Sequence, residues 1–530
     1  MNENYHDYLV IGAGPSGLQL GYFFEKKGMD YLILERNSDS GSFFKKYPRH
    51  RQLISINKVY TGYENDEINL RWDWNSLLSD TPELLFKEYS KDYFPSADTL
   101  VEYLNDYAKH YNLKIHFNTT VLEITKNSSG EFEVICNNCT YRCKDLIIAT
   151  GVPKQIVPDI QGMELCELYS ECSFDPSEYV NQKVLIVGKG NSGFETANNL
   201  VGTASVIHII SPENIKFAWK THYVGNLRAV NNNYLDTYLL KSQNAVLNGE
   251  IQKIVKENNG KYTVSINYTK VKDQELEEIT YDRIILSCGF KMDGTIFKDN
   301  LKPDTSYNGK FPALSAEWES INIPNLYFAG VLSHSRDFKK TTSGFIHGYR
   351  YNCRVLVDIL NKKNNRVDFD SEIHNGIDSD QITNLMIEKI NISSALWQQY
   401  GFLGDVLIPN FQTNTIKYIE ALPCDYINGN LCSDNNDYFV ITLEYGSNER
   451  DPFSQNAQRI TRFDSNAAGE SDFLHPIIRR YSKGNLVSEL HLIEDLNGEF
   501  NRKEHIEPLA NFLHEELTKM KHKSEQLILE

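Results

Sequence analysis

The sequence predicts an α/β protein with two doubly wound parallel-sheet units, the second inserted in the first, followed by a C-terminal α+β extension. Three observations predict it. First, the apolar strand Tyr8-Leu9-Val10-Ile11 runs into a glycine loop, Gly12-Ala13-Gly14-Pro15-Ser16-Gly17, and then into the helical pattern Leu18-Gln19-Leu20-Gly21-Tyr22-Phe23-Phe24. Second, the same order returns at Val184-Leu185-Ile186-Val187, Gly188-Lys189-Gly190-Asn191-Ser192-Gly193 and Phe194-Glu195. Third, two later apolar strands end in small residues, Ala149-Thr150-Gly151 and Ala329-Gly330. One G-x-G-x-x-G loop is a weak signal; two in one chain, each set between strand and helix, are a strong one.

The chemistry of each loop follows from its glycines. The first permits a tight turn, the second lets a pyrophosphate approach the backbone, and the third lets helix pack on strand, while the helix N-terminus offers free N–H groups to an anion. The run Tyr31-Leu32-Ile33-Leu34 then ends in Glu35-Arg36. That carboxylate stands about 20 residues past the glycines, where a dinucleotide fold places the acid for the ribose hydroxyls. In the second unit, Ser205-Val206-Ile207-His208-Ile209-Ile210 ends in Ser211-Pro212 with no acid, and Lys216 and Lys220 follow. This favours NADPH over NADH. The units are thus Rossmann-like, with residues 1–155 and 293–365 as the first, 156–292 as the second, and 371–530 as the extension.

Between these landmarks, 37–60 reads as loop and short elements, including the basic cluster Lys45, Lys46, Arg49, His50 and Arg51. Such a run is either a solvated face or a counter-charge for phosphates. Residues 61–98 read as irregular, with Trp72-Asp73-Trp74 as packing. Leu100, Tyr103, Leu104, Tyr107 and Ala108 predict a helix over 99–111, and alternation predicts strands through 114–149. Cys136, Cys139 and Cys143 lie in this meander; without a second C-x-x-C or a histidine pair they read as hairpin cysteines. A helix is predicted from Phe345 to Leu360, and Lys362-Lys363-Asn364-Asn365 reads as a linker. In the extension, helical patterns at 380–400 and 505–528 flank a mixed middle, and the apolar and aromatic run Leu396–Leu403 needs a partner surface.

At 530 residues the chain exceeds one core. Its net charge of −17 argues against nucleic acid or an anionic membrane as partner. No apolar run approaches the roughly 18 residues of a membrane span. The first strand starts within a few residues of Met1, and the nine cysteines are odd in number. A reduced, cytoplasmic protein is the expectation.

With these motifs in view, the plan resembles flavin-containing monooxygenases and disulfide-reductase-type flavoproteins. More specifically it is similar to the FAD-dependent oxidoreductase domain-containing flavoproteins of the endoplasmic reticulum. That likeness is carried by Tyr47-Pro48-Arg49-His50-Arg51, Ile56-Asn57-Lys58, Asp73-Trp74-Asn75-Ser76-Leu77-Leu78, Thr221-His222-Tyr223-Val224-Gly225, Leu235-Asp236-Thr237-Tyr238, Gly344-Phe345-Ile346-His347-Gly348-Tyr349-Arg350-Tyr351, Gly404-Asp405 and Phe473-Leu474-His475-Pro476. Two departures stand out. Tyr169-Ser170 replaces the His-Ser that closes the monooxygenase fingerprint beginning near Gly162, and Gly330-Val331 replaces a Gly-Asp pair. An ER leader and a longer C-terminal region are also not in this sequence.

The resemblance implies FAD at the first loop and NADPH at the second. The implied cofactor contacts are Gly12, Gly14, Pro15, Ser16, Gly17, Glu35, Arg36, Ser42, Phe43, Ser55, Ile56, Asn57, Val121, Ala149, Thr150, Gly151, Gly330, Ser343, Gly344 and Phe345, with Gly188, Gly190, Asn191, Ser192, Gly193 and Glu195 at the second loop. No metal is implied. The leading expectation is a single-component monooxygenase that passes oxygen from a flavin C4a-hydroperoxide to a small molecule, with small-molecule substrate and O2 as partners and a homodimer as one assembly. Asn57 matches by position the asparagine that monooxygenases place beside the flavin. A flavin-dependent halogenase, with Lys58 relaying hypohalous acid, is the alternative, as is a thiol/disulfide reductase, which needs a cysteine pair beside the flavin. A flavin-bound interaction protein without turnover is a fourth reading, disfavoured by the intact second loop.

Overall fold

The computed structural model describes residues 4–239, 243–271, 275–431 and 437–529. Its first sheet has seven strands. The strand Tyr5–Ile11 lies between Tyr31–Leu34 and Thr140–Ile148, all parallel, with Ile115–His116 at one edge and Leu326–Phe328 also pairing with Thr140–Ile148. The antiparallel strands Phe132–Cys136 and Val121–Lys126 complete it. Tyr5–Ile11, Tyr31–Leu34 and Leu326–Phe328 are buried on both faces at their cores, which is why they read as continuous apolar runs rather than alternating ones.

The second sheet repeats the design. Lys183–Val187 lies between Val206–Ser211 and Arg283–Leu286, again parallel, and an antiparallel meander of Ala245–Lys256, Tyr262–Tyr268 and Leu276–Tyr281 extends the edge. The third sheet is antiparallel throughout, in the order Glu372–Asn375, Thr415–Pro423, Leu403–Asn410, Asp437–Glu444, His475–Ser482, Asn485–His491.

The alternation of a strand explains why this extension is not a tail. Val406 and Val440 face the core that holds Leu356, Ile359 and Leu360 of the helix Ile346–Asn365. Their neighbours Leu407, Phe439 and Ile441 face the helices Ser379–Ile392 and Lys503–Leu529. One face of the sheet is therefore part of the first unit's own core. Arg350, fully buried, ties the same helix to the irregular stretch below it. Its guanidinium donates to the carbonyls of Asp73, Ser76 and Leu70 and to the Tyr351 hydroxyl at 2.8–3.0 Å. Residues 61–98, which carry only the short helices Asp66–Asn69, Pro82–Leu84 and Phe86–Glu88, are thus braced where a rigid fork of donors satisfies three of their carbonyls.

One expectation is corrected. Lys362-Lys363-Asn364-Asn365 is not a linker but the last turn of the helix Ile346–Asn365. Lys363 Nζ reaches the Tyr327 hydroxyl at 2.5 Å, and Asn364 Nδ2 reaches the Tyr8 hydroxyl at 2.8 Å and Asp145 at 2.9 Å. Polar residues continue the helix here because the first sheet gives Lys363 and Asn364 partners, while Lys362 pairs with Asp368 and Asn365 with Asn361. The helix predicted over 99–111 is Ala97–His110, capped by the Ser96 hydroxyl.

Asp405 gives a direct test of the extension's packing. It is buried, accepts from the Tyr418 hydroxyl and from Ala421 N–H at 2.7 Å each, and burial, with Glu420 nearby, pushes its carboxyl up to about 7. The fold therefore keeps a proton that the unfolded chain loses, and this group's contribution to stability falls as pH rises from the ordinary carboxylate range toward 7. Thermal unfolding should show Asp405→Asn gaining on the wild type as pH goes from about 4 to about 8. A melting difference that does not change with pH would contradict the assignment.

Candidate active site and its cofactor cradles

The two glycine loops have the same geometry. Gly12 has φ +107°, and a Cβ there would stand 2.8 Å from Ala149 O; a Cβ on Gly17 would stand 1.9 Å from Gly12 O. In the second loop Gly188 has φ +116° with Ser287 O at 2.4 Å, and Gly193 faces Gly188 O at 2.3 Å. The outer glycines of both loops are thus demanded by the fold itself. The middle ones, Gly14 and Gly190, meet nothing within 4 Å. They are the N-caps of Pro15–Lys26 and Asn191–Leu200, and neither helix has a side-chain cap. Each loop is an open cradle of backbone N–H groups, which fits a pyrophosphate.

Around the first cradle, Glu35 is buried at the end of its strand. Its carboxylate accepts from Ala13 N at 2.9 Å and from Asn37 N and Nδ2 at 2.9 and 2.8 Å, which fixes it beside the loop as expected for a ribose contact. The Thr150 hydroxyl after Ala149 is buried without a partner among the described residues, as is the Ser40 hydroxyl. Gly330, at φ +68°, lies where a Cβ would meet the Ser16 hydroxyl at 2.4 Å, so Pro15 and Ser16 pack against the final strand's turn. Val121 opens its strand two residues after Thr119, whose N–H bonds the Glu35 carbonyl. Ser42 and Phe43 start a short helix beyond Gly41, with the Phe43 ring tilted against Tyr47 at 4.9 Å. Arg36 is exposed. The donors present fit FAD.

The second cradle opens onto a cleft of about 380 Å³ lined by Lys189, Gly190, Ser211, Glu213, Lys216 and Gly225. Lys189 Nζ donates to the carbonyls of Ser211 and Glu213, at 3.1 and 2.7 Å, and to Asn248, and burial lowers it to about 8. Glu213 is an acid that the sequence reading passed over, but Lys216 holds it at 2.7 Å. Lys220 is not in the cleft; it pairs with Asp451 of the extension at 3.2 Å. The Asn191 side chain braces the loop beyond, bonding Asn226 O and Arg228 N at 2.9 Å. Glu195 faces the Tyr169 hydroxyl at 3.1 Å, and burial pushes it up to about 7, so tyrosine stands where the fingerprint histidine would.

Between the cradles, the helix Ile346–Asn365 begins without a side-chain cap on Phe345. A column of rings surrounds that start. Trp74 stacks on His347 at 4.3 Å, His347 on Phe345 at 5.7 Å, and Tyr223 on His334 at 5.6 Å. His347 is buried with neither ring nitrogen partnered among the described residues, and burial with Arg350 and Arg228 nearby holds it far below the ordinary histidine range. A buried neutral imidazole with one free donor and one free acceptor is a costly arrangement that a bound polar group would relieve. Arg228 lies over Trp74 at 5.2 Å and donates to Ile54 O at 2.9 Å. Sequence reasoning took Trp74 for packing and missed His334; Thr221–Gly225 and Gly344–Tyr351 entered as carriers of the family resemblance.

The two catalytic candidates differ in their surroundings. Asn57 is buried, and its side-chain N–H groups donate to Ser90 O at 2.8 Å and Asp92 O at 3.3 Å, so it holds a loop. Lys58 is exposed. Ser55 bonds Asn75, beside buried Ile56. Ser343 is also committed, its hydroxyl accepting from Asn352 at 2.9 Å and from Gln399 at 3.0 Å; a Cβ on Gly344 would touch the His334 ring at 2.9 Å. The basic cluster is tethering rather than phosphate-binding: Lys45 pairs with Asp39, Arg51 with Asp98, and Arg49 donates to Ser170 O and Cys172 O. Every cysteine among the described residues is a free thiol; Cys432 lies outside them. Burial raises Cys136 to about 12, and Cys143, Cys166, Cys172, Cys288, Cys353 and Cys424 upward as well.

Comparison with known proteins agrees with this geometry. Residues 9–330 match the family described as pyridine nucleotide-disulphide oxidoreductase. FAD-dependent oxidoreductase domain-containing protein 2 of Mus musculus is 36% identical over 515 residues, covering 90% of this chain and 76% of that protein. Among solved structures, a flavin-containing monooxygenase from Stenotrophomonas maltophilia shares the fold at TM-score 0.53 and 19% identity over 68% of this chain and 99% of its own. The bacillithiol disulfide reductase of Staphylococcus aureus does so at TM-score 0.53 and 20% identity, with the same coverage. The chain belongs to the pyridine nucleotide-disulphide oxidoreductase family, as a flavin-dependent oxidoreductase that uses FAD and NADPH.

Proposed function

We propose that this flavoprotein is an NADPH-driven monooxygenase acting on a small molecule. The observation that carries the reading is the ring column at the start of the helix Ile346–Asn365, which holds an unpartnered neutral imidazole. Bound there, FAD would supply two-electron transfer from NADPH and the activation of oxygen. The protein's part is to bind, orient and exclude water. Gly14, Glu35 and Thr150 would hold the dinucleotide of FAD, and Gly190 the pyrophosphate of NADPH. Trp74 and Phe345 wall the centre with apolar rings, and His347 would offer its N–H or its lone pair to a polar edge. The reductase alternative needs a thiolate. Burial raises the thiols of Cys136, Cys166 and Cys288.

Two measurements test this. In the nucleotide cleft, Lys189 and Lys216 are the cations available to a 2′-phosphate. The double variant Lys189→Ala, Lys216→Ala should raise the apparent Kd for NADPH about tenfold or more, roughly 1.4 kcal/mol, while that for NADH moves far less. Equal losses for both nucleotides would remove these lysines from the discrimination. For the reaction, holoenzyme is given NADPH, ¹⁸O₂ and panels of small amines, sulfides and ketones, with and without halide. Mass spectrometry should find one ¹⁸O in a product. NADPH-dependent release of thiols from small disulfides without oxygen, and no labelled product, would overturn the monooxygenase reading in favour of disulfide reduction.

A further inference from the structure

Three side chains at the junction of the three sheets form a hydrogen-bonded chain that the cofactor cradles do not use. Tyr223 follows the helix Ala218–Thr221 of the second unit, while His334 and Asp337 lie in and just after the turn Gly330–Arg336 of the first. The Tyr223 hydroxyl is 3.0 Å from His334 Nε2, and His334 Nδ1 is 3.0 Å from Asp337 Oδ1. His334 and Asp337 are each 2% exposed. An ionised carboxylate can only accept, so Nδ1 carries a proton. The other Asp337 oxygen is held by Ser343 N–H at 3.1 Å and by the Thr341 hydroxyl.

Only the Tyr223 end of this chain is half-buried, and it lies between two functional features. A Cβ on Gly225, which lines the nucleotide cleft, would stand 2.5 Å from the Tyr223 hydroxyl. On the other side the ring of Phe345, at the start of the last helix, is 5.9 Å away. Burial, with the charge of Asp337, raises the phenol, so it gives up a proton only as it receives one. The other charged or titratable groups around His334 are Arg336 on its own turn, Tyr400 of the extension, and Lys310 and Lys339 beside Phe338.

NADPH delivers a hydride, and each reaction open to this site also consumes one proton. NADPH, H⁺ and O₂ give NADP⁺ and H₂O₂; with a substrate they give NADP⁺, water and oxygenated substrate; with a disulfide in place of oxygen, NADP⁺ and two thiols. We propose that Tyr223 delivers this proton and that His334 and Asp337 position and recharge it. The Tyr223 O–H bond breaks toward the reduced acceptor while Nε2–H of the His334 imidazolium protonates the phenolic oxygen. Asp337 is the counter-charge to that imidazolium, and solvent reprotonates the ring through Tyr223 when the site opens. Tyr223 is the catalytic residue; His334 and Asp337 are positioning residues. The inference rests on the NADPH-flavoprotein reading and holds for either acceptor.

The test separates the two half-reactions. Holoenzyme is reduced by NADPH without oxygen, a step that consumes no proton, and is then mixed with aerated buffer from about pH 6 to about pH 9 in H₂O and D₂O. Wild-type reoxidation should slow as pH rises, because the step consumes a proton, and should show a solvent isotope effect. Tyr223→Phe should slow reoxidation about 100-fold or more, and both it and Asp337→Asn should abolish the pH dependence and the isotope effect. In ¹⁵N NMR of histidine-labelled holoenzyme, Tyr223→Phe should shift His334 Nε2 and leave Nδ1 protonated. If NADPH does not reduce the wild type, the underlying reading fails. If it does, but Tyr223→Phe keeps the wild-type pH profile and isotope effect, or His334 Nε2 does not respond, the relay is overturned. A purely structural role would lower melting temperature or FAD content and leave the profile in place.

Discussion

One buried amide fixes the relation between the extension and the chemistry. Gln399 is fully buried, and its side chain reaches the segment that opens the last helix. Its Oε1 accepts from the Thr341 hydroxyl at 2.9 Å and from Thr342 N–H at 3.3 Å, while Nε2 donates to Ser343 Oγ and Asn352 Oδ1 at 3.0 Å each. In a low-dielectric interior such a network is stable only when every member is satisfied. The backbone of 341–345, and with it Phe345, His347 and the Asp337 carboxylate, is therefore set by a residue of the extension. The next residue continues the link, since the Tyr400 hydroxyl donates to His222 O at 2.7 Å and His222 stacks on Tyr445 at 4.0 Å. The extension thus grips both cofactor units at their junction.

This arrangement explains why the site can be both polar and dry. Arg350 and Gln399 satisfy the carbonyls and hydroxyls beneath it from within the fold, so bulk water is not needed there. Among the described residues, His347, Thr150 and Ser40 are buried polar side chains left without a partner, as are Ser335 Oγ and Arg350 Nε nearby. Water exclusion strengthens every interaction a ligand makes inside such a site.

How much of this was legible in the sequence depended on range. The glycine loops are local devices, since Gly12, Gly17, Gly188 and Gly193 are demanded by backbone atoms of their own turns or of adjacent strands, so spacing alone located both cradles. Glu35 was legible for the same reason. Lys362–Asn365 was misread as a linker because the partners of Lys363 and Asn364 lie far along the chain, at Tyr327, Tyr8 and Asp145. The extension's sheet was hidden because its strand Leu403–Asn410 carries a bulge between Gly404 and Val406, which breaks the two-residue period. The chain from Tyr223 to Asp337 joins two units, and no window of sequence contains it.

The central claim is that the extension, through Gln399, completes the centre where electrons from NADPH meet oxygen. It is tested most directly by the rate at which holoenzyme in air without substrate oxidises NADPH and releases hydrogen peroxide. Gln399→Leu, compared at equal FAD content, should oxidise NADPH and release peroxide several-fold faster than the wild type, because the network over 341–345 is opened to water. Identical peroxide release in the two proteins would contradict the account and leave the extension a structural partner of the flavin fold.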